Sequence, residues 1–191
     1  MLLVIGFIQV NAQEVAASKK PFFQEIGFWS GFGYGNNTKS IPEGSYQPYY
    51  FMGHLACAPF FKGKSVWQQF QFYFEPQYNY VRIVRSQQDY SNAHEFGLNV
   101  GVKYLYPFAQ KWKVFIYVSS GPHSFSATTE RQAPGYLFSD NLGMGVYYFF
   151  HPKWSACFTY RIRHLSNADT RQPNNGINTD NFLFGIGYHL W

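Results

Sequence analysis

The sequence predicts an all-β chain: an eight-stranded antiparallel transmembrane β-barrel with four long outer loops and short periplasmic turns. Three observations predict it. Aromatic residues make up 22% of the 191 residues and charged residues only 13%, against about 25% charged in an average soluble domain. Apolar residues recur with period two in eight separate segments. The links between those segments alternate long and short.

Composition excludes the competing classes. Mean hydropathy is −0.28, and the long apolar run lies at the extreme N-terminus, whereas each helical membrane span needs about 20 mostly apolar residues. The aromatic content excludes a disordered chain. A membrane barrel fits both facts, because alternation leaves only a weak hydropathy signal in each segment. Residues 1–12 read as the apolar part of a secretory signal, too short to span a bilayer. Val10-Asn11-Ala12 supplies small residues for cleavage after Ala12; the positively charged start of such a signal is missing, as expected of a signal truncated at its start. Residues 13–191 then form one barrel domain.

The segments justify the strands in order. In the first, Ile26, Phe28, Phe32 and Tyr34 share one parity, opposite Gly27, Trp29, Gly31 and Gly33. The second runs from about Tyr46 to Ala58, with Tyr49, Phe51, Leu55 and Cys57 on one face. The third runs from Val66 to Tyr80 and sets Phe70, Phe72, Phe74, Tyr78 and Tyr80 against Gln71, Glu75, Gln77 and Asn79. The fourth, Glu95 to Tyr104, sets Phe96, Leu98, Val100 and Val102 against Glu95, Asn99 and Lys103. The fifth turns Trp112, Val114, Ile116 and Val118 outward. The sixth does the same with Phe138, Leu142, Met144, Val146 and Tyr148. The seventh opposes Trp154, Ala156, Phe158, Tyr160 and Ile162 to Ser155, Thr159, Arg161 and Arg163. The eighth turns Phe182, Phe184, Ile186, Tyr188 and Leu190 outward. Eight is the smallest strand number of bacterial outer-membrane barrels, and the interior at that size is filled by side chains.

Long links are expected after the first, third, fifth and seventh segments, the second of them from Val81 to Ala93. Short links fall near Pro59, Pro107 and His151-Pro152-Lys153. That order places both chain ends on the periplasmic side. A soluble lipocalin-like barrel would put apolar residues inside, but the aromatic face here is too rich for a small interior. Net charge is +5, which fits anionic lipid headgroups. No basic stripe marks a nucleic-acid partner. Cys57 and Cys157 make neither a disulfide framework nor a metal site, and no metal or cofactor is implied.

The seventh segment breaks its own rule. Its outward parity continues from Ile162 to His164 and Ser166. Residues two apart on a strand point the same way with Cβ atoms roughly 7 Å apart, within reach of an imidazole and a hydroxyl. At barrel tilt, Trp154 to His164 climbs about 25 Å, the height of the apolar band. The pair therefore lies at the outer rim of the lipid-facing wall. The plain alternative is an interfacial polar pair without chemistry.

The surrounding residues favour chemistry. Arg163-His164-Leu165-Ser166-Asn167-Ala168, then Gln172-Pro173-Asn174-Asn175-Gly176-Ile177, resembles the lipid A 3-O-deacylase (PagL-like) family. Those proteins are eight-stranded outer-membrane barrels, with a motif reading His-x-Ser-Asn followed by Pro-Asn-x-Gly-x-Glu. The resemblance implies a bacterial outer-membrane location and a lipid A or lipopolysaccharide substrate among outer-membrane lipids. It implies Ser166 as nucleophile, His164 as general base and Asn167 as an oxyanion contributor. The motif's acid falls on Asn178, a departure, and Asp180 is two residues on with the same parity. Either Asn178 orients His164 or Asp180 supplies the charge. The competing reading is a non-catalytic structural or adhesion barrel. Arg82, Arg85, Arg131 and Arg171 are either contacts for lipid phosphates or ordinary solvated loop charges.

Overall fold

The computed structural model describes residues 21–35, 45–58, 69–86 and 89–190. The expected signal segment, the start of the third segment and the link at Pro59 lie outside the described residues. The strands are β1 (Phe23–Gly35), β2 (Tyr46–Cys57), β3 (Phe70–Val84), β4 (Tyr90–Ala109), β5 (Trp112–Phe125), β6 (Gly135–His151), β7 (Trp154–Ser166) and β8 (Ile177–His189). Each pairs antiparallel with the next, and β1 pairs with β8 to close the barrel.

The alternation sets which side faces out. Val100, Ile116 and Phe158 are exposed, and Phe72 and Val146 are half-exposed on the same wall. Each such side chain gains about 1.5–3 kcal/mol when taken from water, so a wall of them demands hydrocarbon. Cys57 shares the outward parity but is covered, beside a register shift between Phe23 and Glu25. Its thiol donates to the Phe72 carbonyl at 3.6 Å.

The lumen holds the charges instead. Glu25, Glu75, Glu95, Lys103, Arg161 and Arg163 are all buried, and burial of charge demands partners. Lys103 Nζ lies 2.6 Å from Glu25 Oε2 and donates to Tyr147 Oη at 2.8 Å. Arg161 Nη1 stands 3.7 Å from Glu75 Oε2. Arg163 pairs with Glu95 across the barrel, donates from Nε to Ser139 Oγ at 2.8 Å, and shares Glu95 with His123. Between these pairs sit Trp29, Tyr50, Met52, Tyr73 and Tyr117. The interior is a packed plug, as an eight-stranded barrel requires.

Arg163 alternates with His164 on β7, so its lumenal pair anchors the strand that carries the rim residues. Arg163→Met leaves Glu95 buried without its cation. The expected cost is about 3–5 kcal/mol, read as a lowered urea midpoint for the barrel in detergent micelles.

Several strands run further outward than the period-two apolar pattern predicts. The stretch Val81–Ala93, expected as a long loop, instead completes β3 and begins β4, leaving residues 85–89 between them. The cause is an inversion of polarity. At the outer end the lumen is filled by Tyr46, Val81, Ile83, Phe125, Leu137 and Leu165, all buried. The outward positions there carry Arg82, Asn92 and Ser124. Above the bilayer water replaces lipid outside, so the barrel becomes apolar within and polar without, as a soluble barrel is.

Candidate active site

The site lies where the lipid-facing parity of β7 turns polar. His164 is exposed and Ser166 half-exposed on the outer wall, while Arg163 and Leu165 between and beside them are buried in the lumen. Antiparallel register places Asn178 of β8 directly opposite His164. The side chains meet: His164 Nδ1 lies 2.7 Å from Asn178 Oδ1. With Nδ1–H as donor and the amide oxygen as acceptor, Nε2 is left unprotonated.

Asp180 is placed elsewhere. It stands opposite Ile162, and its carboxylate accepts a hydrogen bond from the Tyr160 hydroxyl. Of the two candidates left open by the sequence, Asn178 is the one in contact with His164. Ser166 Oγ has no hydrogen-bond partner among the described residues.

Asn167 follows on the opposite parity and is buried. Its backbone N–H donates to Asn174 Oδ1 at 3.0 Å, and its Nδ2 donates to the Arg171 carbonyl at 2.8 Å. Thr170 Oγ1 and the Thr170 N–H both donate to the Asn167 carbonyl. Asn167 thus ties the turn that follows Ser166. In that turn Ala168 and Asp169 have positive φ, 53° and 61°, a left-handed conformation uncommon outside glycine. The backbone N–H groups of Ala168 and Asp169 have no partner among the described residues.

A second loop holds the first. Gln132 bridges Asn174, the Ala133 N–H donates to the Pro173 carbonyl at 2.8 Å, and the Asn175 N–H donates to the Arg131 carbonyl at 2.8 Å. Arg131 donates from Nε to the Gly176 carbonyl at 2.8 Å and from Nη2 to the Asn175 carbonyl at 3.0 Å. These bonds press Gly176 against the His164 ring. Its φ is +67°, and a Cβ there would stand 2.5 Å from His164 Cε1 and 3.2 Å from Nε2. Only glycine fits both the backbone and the space.

Of the remaining arginines, Arg82 stacks over the Tyr90 ring at 4.5 Å and Arg85 lies 4.0 Å from Asp89. Sequence reasoning missed two neighbours of the site. Asp140 of β6 stands directly opposite His164, and Ser120 of β5 directly opposite Asp140. Ser120 Oγ donates to Asp140 Oδ1 at 2.6 Å. Ser120, Asp140, His164 and Asn178 therefore form one polar row across four strands. The signal was present: Asp140 interrupts the outward run of Phe138, Leu142 and Met144, as His164 interrupts that of β7.

A closed eight-stranded barrel with an apolar outer band, a charged plug and a polar row at its outer rim defines an outer-membrane β-barrel protein. A family model described as lipid A 3-O-deacylase (PagL) matches residues 48–187. The chain belongs to that family of outer-membrane lipid A deacylases. Among solved structures, the chain resembles the outer-membrane enzyme PagL with a TM-score of 0.57 and 18% identity, covering 84% of this chain and 97% of that one. It also resembles the Neisserial surface protein A with a TM-score of 0.55 and 10% identity, covering 88% and 97%. At these identities the likeness is one of fold. No curated protein sequence matches the chain.

Proposed function

We propose that the chain hydrolyses the ester at the 3-position of lipid A, with Ser166 as nucleophile and His164 as general base. The observation that carries this reading is the His164–Asn178 contact at 2.7 Å on the lipid-facing wall, two residues from Ser166. It leaves Nε2 free to take a proton at the height where sugar meets acyl chain.

The reaction follows from that arrangement. Ser166 Oγ attacks the ester carbonyl carbon as His164 Nε2 takes the hydroxyl proton. The carbonyl oxygen becomes an oxyanion. When the tetrahedral intermediate collapses, the C–O bond to the sugar breaks, and His164 returns the proton to the departing sugar oxygen. Water then attacks the acyl-Ser166 ester, giving its proton to His164. Collapse breaks the acyl–Oγ bond, returns the His164 proton to Ser166 Oγ and releases the fatty acid. Donors for the oxyanion must be aimed at that oxygen. The N–H groups of Ala168 and Asp169 lie within three residues of Ser166, and Asn167 holds their turn in place. Asn167 then acts through the turn: its side chain is buried on the lumenal parity, with its N–H on Asn174 and its Nδ2 on the Arg171 carbonyl.

Gly176→Ala probes the base. The new methyl group meets the His164 ring and strains the backbone, so the imidazole must swing away from Asn178. Activity is expected to fall by about 10²-fold, on the scale of a misplaced catalytic group, while the barrel still folds. An unchanged rate would separate the His164 position from catalysis.

A non-catalytic barrel is the second reading, favoured by the amide of Asn178 in place of the motif's carboxylate. Incubating purified protein with lipopolysaccharide and assaying free fatty acid separates the two. The esterase reading expects release that is lost in His164→Ala, and the other expects none.

A further inference from the structure

The deacylase mechanism develops a positive charge on His164, and Asn178 cannot balance it. An amide oxygen orients the ring and selects the tautomer, but only an anion stabilises the imidazolium by full Coulomb attraction. The groups facing His164 can be named. On β8, Asn178 is in contact and Asp180 is bonded to Tyr160, opposite Ile162 rather than His164. From the loops, Arg131 faces the Gly176 carbonyl. On β6, Asp140 stands directly opposite His164.

We propose that Asp140 is the positioning anion of the site, balancing the His164 imidazolium from the flank opposite Asn178. The reading rests on the Ser166–His164 mechanism above. The two jobs usually joined in one carboxylate are here divided between two strands: Asn178 holds the ring and Asp140 supplies the charge. Directly paired residues of an antiparallel ladder have Cβ atoms about 4.5–5.5 Å apart, a separation that the two side chains can close by rotation once the imidazole carries charge. Asp140 is exposed and joined to Ser120 Oγ at 2.6 Å. That bond ties one carboxylate oxygen to β5 and leaves the other to turn toward His164 on β7 when the imidazolium forms. Asp140 stands at the rim of the lipid-facing wall, where packing gives no reason for a carboxylate between Phe138 and Leu142.

Asp140→Asn keeps the shape and removes the charge. It is expected to lower kcat for lipid A deacylation by about 10- to 100-fold with KM within about twofold, since only the charged transition state loses stabilisation. The double variant Asp140→Asn with Asn178→Glu returns a carboxylate to the other flank and should recover most of kcat. In the Asn178→Glu background Asp140→Asn should cost far less than in wild type, whereas a structural role for Asp140 would cost the same in both. Labelling of Ser166 by a fluorophosphonate follows the same base without lipid A, and should slow in Asp140→Asn and recover in the double variant. If the wild-type protein deacylates lipid A and Asp140→Asn retains its kcat, or the folded double variant stays as slow as the single one, the proposal fails alone. Should Ser166 label but lipid A remain intact, the substrate reading fails and the labelling rates decide on Asp140. With neither deacylation nor labelling in wild type, the mechanism and the Asp140 role fall together.

Discussion

Ser166→Ala is expected to abolish release of fatty acid from lipid A while leaving the barrel intact. Ser166 is half-exposed at the outer end of β7, and its hydroxyl has no hydrogen-bond partner among the described residues. Stability should change by less than about 0.5 kcal/mol, as for surface positions that carry no special contact. The rate should fall by at least about 10³-fold, because no other group near His164 can form the acyl intermediate. The check is fatty-acid release by the two proteins at equal amounts of folded barrel, judged by heat-modifiable migration on a gel. A variant that keeps full activity removes Ser166 from the chemistry.

The second large effect separates Asn178 from Asp180. Asn178 Oδ1 accepts from His164 Nδ1 at 2.7 Å, whereas the Asp180 carboxylate is occupied by Tyr160. Asn178→Ala frees the ring to rotate and to adopt the wrong tautomer. In a serine protease triad the wrong tautomer costs about 10⁴ in rate, and an expected loss between about 10²- and 10⁴-fold follows here. Asp180→Asn should be nearly silent, because its carboxylate neither touches His164 nor stands opposite it. Asn178→Glu should raise the rate above wild type by joining orientation and charge in one group. Steady-state rates of the three variants on one lipopolysaccharide preparation check the assignment. A silent Asn178→Ala beside a crippled Asp180→Asn would reverse it.

Much of this was legible in the chain because a lipid-facing wall writes itself with period two. Phe72, Val100, Ile116 and Phe158 needed no further information to be placed outward. The strand ends were harder for a physical reason. Beyond the bilayer the solvent outside changes from hydrocarbon to water, so Val81, Ile83, Phe125 and Leu137 turn inward while Arg82 and Ser124 face out. A period-two pattern whose sign flips part way, as in Val81–Ala93, reads as a loop. The site divides similarly. His164 and Ser166 share a strand, and their spacing alone shows that they share a side. Asp140 and Ser120 reach His164 only through registers between β5, β6 and β7, which depend on where each strand starts. Asn178 and Asp180 have the same parity, and only the β7–β8 register tells them apart. Gly176 owes its closeness to His164 to bonds between two loops, which no local pattern records.

Cleavage of one lipid A ester through Ser166 and His164 is tested most directly by mass spectrometry of lipid A after incubation with purified protein, with fragmentation to locate the missing chain. The expected result is loss of one acyl chain from the 3-position, matched by one equivalent of free fatty acid and absent with Ser166→Ala. Lipid A of unchanged mass, or the same loss with Ser166→Ala, would contradict it.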